Sequence, residues 1–192
     1  MSAYSLMLFL HFVFLTAAVA AAALTGFAAL RLRGAESSAE AMGWGKFIRR
    51  VARSFPVASL GLIGTGAYMT SESWSWSTPY IVAGLAGLVT IMLLGAGVEG
   101  SRGRAIGAEL REAGLSLKAR RLLFDPIAWS AKVTIWALLL AVIFVMTTKP
   151  TALICAVALA VALVCGVLAA IPFWATRGRA AASGVPRESG LA

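Results

Sequence analysis

Residues 4–30 contain no Asp, Glu, Lys or Arg. That exceeds the roughly 20 largely apolar residues a helix needs to cross the hydrocarbon core of a bilayer. Four further apolar stretches follow at 51–70, 79–98, 131–147 and 152–174. In lipid every backbone N–H and C=O must find its partner within its own segment, so stretches of this length fold as helices. The chain is therefore expected to be all-α, a polytopic transmembrane helical bundle of about five spans. One transmembrane domain would cover 1–176, with 177–192 as a disordered cytoplasmic tail. Span two is the least apolar, because Gly61, Gly64 and Gly66 interrupt it. Only Thr147, Thr148, Lys149, Pro150 and Thr151 separate the last two spans, so they should form a tight antiparallel hairpin.

Composition agrees. Hydrophobic residues make up 60% of the chain and charged residues 13%, against about 45–50% and about 25% in soluble domains. Disorder, collagen and a disulfide scaffold are excluded, and a soluble domain does not fit. The two cysteines, Cys155 and Cys165, lie about 15 Å apart along one helix, too far for a disulfide or a shared metal.

The net charge of +9 reads as topology. Arg31, Arg33, Lys46, Arg49, Arg50 and Arg53 follow span one. Arg102, Arg104, Arg111, Lys118, Arg120, Arg121 and Lys132 follow span three, and Arg177, Arg179 and Arg187 lie in the tail. Sixteen of the 17 basic residues thus fall on one side, leaving Lys149 alone on the other. The positive-inside rule predicts an outside N-terminus and a cytoplasmic C-terminus, which requires an odd number of spans. A nucleic-acid partner is not needed to explain the charge. The first span lacks the positive n-region of a cleaved signal and is expected to remain as a membrane helix.

Between spans one and two, Trp44, Phe47, Ile48, Val51 and Phe55 recur at helical spacing, with Lys46, Arg49, Arg50 and Arg53 on the other flank. This reads as an interfacial amphipathic helix whose four basic residues contact lipid head groups. Gly97, Gly100 and Gly103 are expected to end span three, because a phosphate-cradling loop would need a preceding strand. A short helix is expected over 106–113, with Glu109 set against Arg104 or Arg111. Asp125 and Pro126 read as the cap and first turn of the fourth span.

Chemistry-bearing groups are scarce. His11 lies about two turns inside span one, and intramembrane ionisable residues count as functional hypotheses. Leu15, Ala18, Ala22 and Thr25 share its face, while Ser54, Ala58, Gly61, Thr65, Tyr68 and Glu72 form a matching stripe on span two. Packing the two stripes would carry His11 toward Tyr68 and Glu72. With Trp74, Trp76 and Tyr80 these residues define a candidate outer-leaflet site, although the aromatics also suit a plain interfacial belt. His11 reads first as a hydrogen-bonding packing residue; the alternatives are a haem ligand, alone or completed by Met69 or another subunit, a quinone partner, or a proton-linked gate. There is no second histidine and no His/Cys metal cluster, so no enzyme activity is expected.

The residues Leu10-His11, Thr65-Gly66-Ala67-Tyr68-Met69, Trp74, Trp76, Pro79-Tyr80-Ile81 and the run from Gly100 to Gly107 resemble a bacterial family of predicted integral membrane proteins whose domain has no assigned function. The likeness covers roughly 5–115 and extends loosely to copper-resistance-type membrane proteins. It implies a helical bundle in the bacterial plasma (inner) membrane and no particular activity. This chain departs from a copper site, since His11 has no second His and its methionines are scattered. The reading is a non-enzymatic accessory or binding subunit without a cofactor. It would contact lipids and other membrane subunits or itself. Alternatives are a haem- or quinone-linked redox subunit using His11, and a small oligomeric transporter, for which span two is the candidate broken helix.

Overall fold

The computed structural model describes residues 2–169 and 171, and within them every regular element is helical. The helices are α1 Ala3–Arg33, α2 Ser38–Ala52, α3 Ser54–Ser73, α4 Pro79–Leu93, α5 Gly100–Glu112, α6 Leu117–Leu123, α7 Pro126–Thr148 and α8 Ala152–Leu168. A π-helical stretch, Leu94–Glu99, joins α4 to α5. The end of the fifth predicted span and the tail at 177–192 lie outside the described residues.

Local chemistry explains the boundaries. Ser37 Oγ accepts from the Glu40 N–H (3.2 Å), and Glu40 Oε2 accepts from the Glu36 N–H (3.2 Å). This reciprocal cap starts α2. Its end at Arg53 separates it from α3, so 51–53 belongs to the amphipathic helix and not to the second span. Pro79 and Pro126 occupy first-turn positions, where a missing N–H is harmless. Asp125 caps α7 by accepting from the Ile127 N–H (3.1 Å), as the sequence implied. Lys149 closes α7 in the left-handed region, at φ 49°.

The glycines at 97, 100 and 103 do not end the helix of the third predicted span. The helix runs on to Glu112, with Gly100 at helical φ −65° and ψ −43°. Helical glycine costs only about 1 kcal/mol, and packing of α5 on α2 and α6 offsets it. The irregular backbone thus lies at Leu94–Glu99 and not in the glycine-rich second span.

Three helical stretches are long and apolar enough to cross a membrane: Ala3–Arg33, Pro79–Glu112 and Leu117–Thr148. α8 is apolar but has 17 residues. α3 has the length, at 20 residues, but its glycines and hydroxyl residues dilute its apolarity.

The helices pack as two groups. α1 pairs with α3, while α7 packs against both α4 and α8. The α1 seam is a three-four repeat of His11, Phe14, Ala18, Ala21, Thr25, Ala28 and Leu32, all buried or half-buried. It shares His11, Ala18 and Thr25 with the predicted stripe and adds Phe14 and Ala21 beside the half-buried Leu15 and Ala22. The Phe14 ring occupies the space a Cβ at Gly61 would need. In α4 a Cβ at Gly84 or Gly87 would collide with Met146 or Val142 of α7, and one at Gly166 of α8 with Thr134. Close approach over small residues is how helices gain van der Waals contact in lipid.

The two groups are tied together at the arginine-rich end. There Leu32, Ala35, Ala41, Leu110, Ala119 and Leu123 form one apolar cluster from α1, α2, α5 and α6. Ion pairs join Arg102 to Asp125, Lys118 to Glu109 (2.7 Å) and Lys132 to Glu99 (2.7 Å). Glu109 thus pairs with Lys118, and not with Arg104 or Arg111. The Arg33 guanidinium lies between the Phe124 and Trp129 rings, 4.2 and 4.3 Å from their centres.

Candidate functional site

His11 sits on the α1 face toward α3, and its Nδ1 lies 2.9 Å from Thr65 Oγ1. The Thr65 hydroxyl donates its one proton to the Gly61 carbonyl at 2.6 Å. A carbonyl only accepts, so with the Thr65 proton on Gly61 the arrangement calls for Nδ1 as the donor to Oγ1. The neutral ring is therefore protonated on Nδ1 and carries its lone pair on Nε2. Gly66 faces the same ring: a Cβ there would lie 3.5 Å from Cε1. The sequence placed Thr65 on the correct stripe, but the specific partnership needed the helix register.

The other predicted residues do not gather around His11. Tyr68 and Glu72 continue past it along α3 and are exposed, and Glu72 makes no ion pair among the described residues. Trp76 is exposed in the α3–α4 loop. Trp74 and Tyr80 instead meet each other edge-on, their centres 5.6 Å apart, and Lys149 completes the group with its Nζ 4.4 Å from the Trp74 ring centre. Tyr80 is buried against Ala83, Val145 and Cys155, and its hydroxyl has no hydrogen-bond partner among the described residues. The candidate outer site is thus two features: a part-buried His11–Thr65 pair between α1 and α3, and a Trp74–Tyr80–Lys149 cluster at the end of the bundle. Lys149 was legible as the single basic residue on its side, but its ring partners were not.

At the opposite end, Lys46, Arg49, Arg50 and Arg53 are all exposed along α2 and take part in no ion pair among the described residues. Trp44 and Ile48 of the same helix pack inward on the apolar cluster. Phe47 of the predicted apolar stripe is exposed instead. Arg111, expected from the sequence as a partner of Glu109, instead joins Arg49 above the buried Gly107 of α5. Glu109 has its carboxyl held below the usual glutamate range, first by the Lys118 hydrogen bond and then by that of Ser116.

No set of three or more His, Cys, Asp or Glu side chains able to hold a metal occurs among the described residues. Compared with known protein families, curated proteins and solved structures, the chain matches none.

Proposed function

We propose that the protein is a five-span component of the bacterial inner membrane, with its N-terminus outside and its arginine-rich end in the cytoplasm. In this reading it has no catalytic activity of its own and serves as an accessory or binding subunit of a larger membrane complex. The outward face of α1 carries the proposal. Phe9, Val13, Thr16, Ala20, Ala23 and Phe27 repeat at three-four spacing and are all exposed, forming a second seam beside the one α3 occupies. Thr16, Ala17 and Ala20 floor a shallow groove of about 490 Å³ walled by Phe9, Phe12 and Val13. Small residues between aromatic walls suit the close approach of another membrane helix.

The test is purification in a gentle detergent, identifying every protein that accompanies the chain. Co-elution of a larger membrane protein, lost on Ala20→Leu, is the expected result. A solitary wild-type monomer would refute the accessory role. Orientation is tested separately by reporter fusions: Ser75 and Lys149 should report outside, and Ser37, Ala113 and Ala192 inside.

A second reading is favoured by the His11 tautomer. A ring that donates from Nδ1 to an oxygen keeps its lone pair on Nε2, the nitrogen that could hold a metal. A quinone carbonyl would need a proton on Nε2. Of the cofactors that suit a lone membrane histidine, haem therefore fits this geometry better than quinone. The absorption spectrum of the purified protein decides: a Soret band lost in His11→Ala supports the reading, and its absence from wild type rejects it.

A further inference from the structure

α2 and α5 approach each other over two glycines. A Cβ at Gly45 of α2 would lie 4.0 Å from Leu110 Cδ1 and 3.8 Å from Arg49 Nη1. One at Gly107 of α5 would lie 3.0 Å from Arg49 Nη1 and 3.7 Å from Arg111 Nη1. The Arg49 side chain therefore runs in a trough that only two residues without side chains leave open. At its floor two guanidinium groups from different helices converge on one point. Their Nη1 nitrogens lie within about 7 Å of each other, close enough for the oxygens of one phosphate group to accept from both.

Among the described residues no ion pair neutralises these two arginines. The three ion pairs among the described residues join Arg102 to Asp125, Lys118 to Glu109 and Lys132 to Glu99. On α5 Glu109 is engaged by Lys118 and Ser116, and Glu112, the residue after Arg111, forms no ion pair with either arginine among the described residues. Two cations held together without a counter-charge repel unless an anion bridges them. Arginine, with its planar fork, is the side chain best suited to hold phosphate in that way.

We infer that Arg49 and Arg111, converging above Gly107, form a binding site for a phosphate group. The group is either the phosphodiester of an anionic lipid or a soluble phosphate. The site is more specific than general attraction of the α2 arginines to the membrane surface, since it uses one of them and adds a residue from α5. It depends on neither the accessory nor the haem reading.

The test uses the full-length protein in a neutral maltoside detergent, in two arms. In the first, phosphatidylglycerol is added and bound lipid is counted by native mass spectrometry. In the second, inorganic phosphate is titrated by calorimetry. Saturable one-to-one binding is expected in at least one arm, weakened about tenfold or more in Arg49→Gln and in Arg111→Gln. Arg50→Gln removes the same charge one residue away and should leave binding within about twofold. Gly107→Ala keeps every charge but places a methyl against the Arg49 guanidinium, and should weaken binding. Arg49→Lys keeps charge and fold without the fork and should weaken it as well. Helicity and gel-filtration profiles establish that each variant is folded.

Binding in the lipid arm alone identifies a head group as the source; binding of inorganic phosphate shows that the phosphate group suffices. The inference is overturned by no saturable binding in either arm, by unchanged binding in both Gln variants, or by an Arg50→Gln loss equal to that of Arg49→Gln.

Discussion

The Lys149 ammonium lies 4.4 Å from the centre of the Trp74 ring, so a helix-ending residue of α7 is seated on the loop between α3 and α4. The same ammonium is 5.8 Å from the Tyr80 ring centre. Lys149 is also the one non-glycine residue with a positive φ among those described. These two facts act in opposite directions. The cation over the aromatics stabilises by about 0.5–1 kcal/mol, while a left-handed residue with a Cβ costs about 1 kcal/mol or more. Lys149→Gly should therefore be close to neutral in thermal unfolding. Lys149→Ala, which loses the cation and keeps the Cβ, should be about 1 kcal/mol less stable than Lys149→Gly. Equal stabilities would show that the turn carries no strain.

The His11–Thr65 hydrogen bond joins α1 to α3 inside the apolar part of the bundle. Side-chain hydrogen bonds between membrane helices couple by about 0.6 kcal/mol on average and up to about 1.7 kcal/mol. A double-mutant cycle of His11→Phe and Thr65→Val, read by unfolding in mixed micelles, should give a coupling in that range. A coupling indistinguishable from zero would mean the bond is not formed.

Two glycines three residues apart on α3 should respond in opposite ways. The Phe14 ring fills the space above Gly61, while nothing lies within 4 Å of a Cβ at Gly64. Gly61→Ala should destabilise by about 1–3 kcal/mol through overpacking. Gly64→Ala should be neutral or stabilising by up to about 1 kcal/mol, because alanine is the better helix former. Melting temperatures of the two variants provide the comparison.

Glu109 and Lys118 give the arginine-rich end a dependence on pH. The Lys118 hydrogen bond lowers the Glu109 pKa from its ordinary 4.5, and Glu109 raises that of Lys118 from its ordinary 10.5. A lowered acid stabilises above its ordinary pKa and loses that contribution as pH falls through the folded value. A raised base stabilises below its ordinary pKa and loses that contribution as pH rises through the folded value. Stability from this pair should therefore hold from about pH 5 to 10 and decline on either side. Lys118→Gln should flatten both edges in melting curves taken across pH. If wild type and variant change in parallel, the pair contributes nothing to that profile.

The helical bundle was legible because uncharged stretches of this length have no other stable form in lipid. Caps were legible too: Asp125 and Pro126 are local signals, and Asp125 caps α7 as expected. What escaped depended on relations between distant segments. Nothing near Phe14 tells that its ring fills the space over Gly61, because Phe14 and Leu15 both sit about 50° from the midline of the same stripe. Gly97, Gly100 and Gly103 look like a helix end in isolation and are carried through as helix by the packing of α5 on α2 and α6. The partners of Glu109 and of Lys149 lie on other elements, and charge alone does not choose among several lysines and arginines.

The π-helical Leu94–Glu99 has a consequence for reading α4 and α5 as one rod. At about 4.4 residues per turn instead of 3.6, six such residues lag an ordinary helix by about 100°, the angular width of one residue. A helical wheel drawn from Tyr80 is in phase down to Leu93 and one residue out of phase beyond Glu99. Deleting Ala96 would let the stretch revert to five residues of ordinary helix with nearly the same length and rotation, so Gly107, Glu109 and Leu110 should still face α2 and α6, whereas a deletion in the regular part of α4 would swing them away by about 100°. The six residues work as a phase shifter. They let one helix serve α7 with its upper half and α2 with its lower half, two neighbours that lie in different directions.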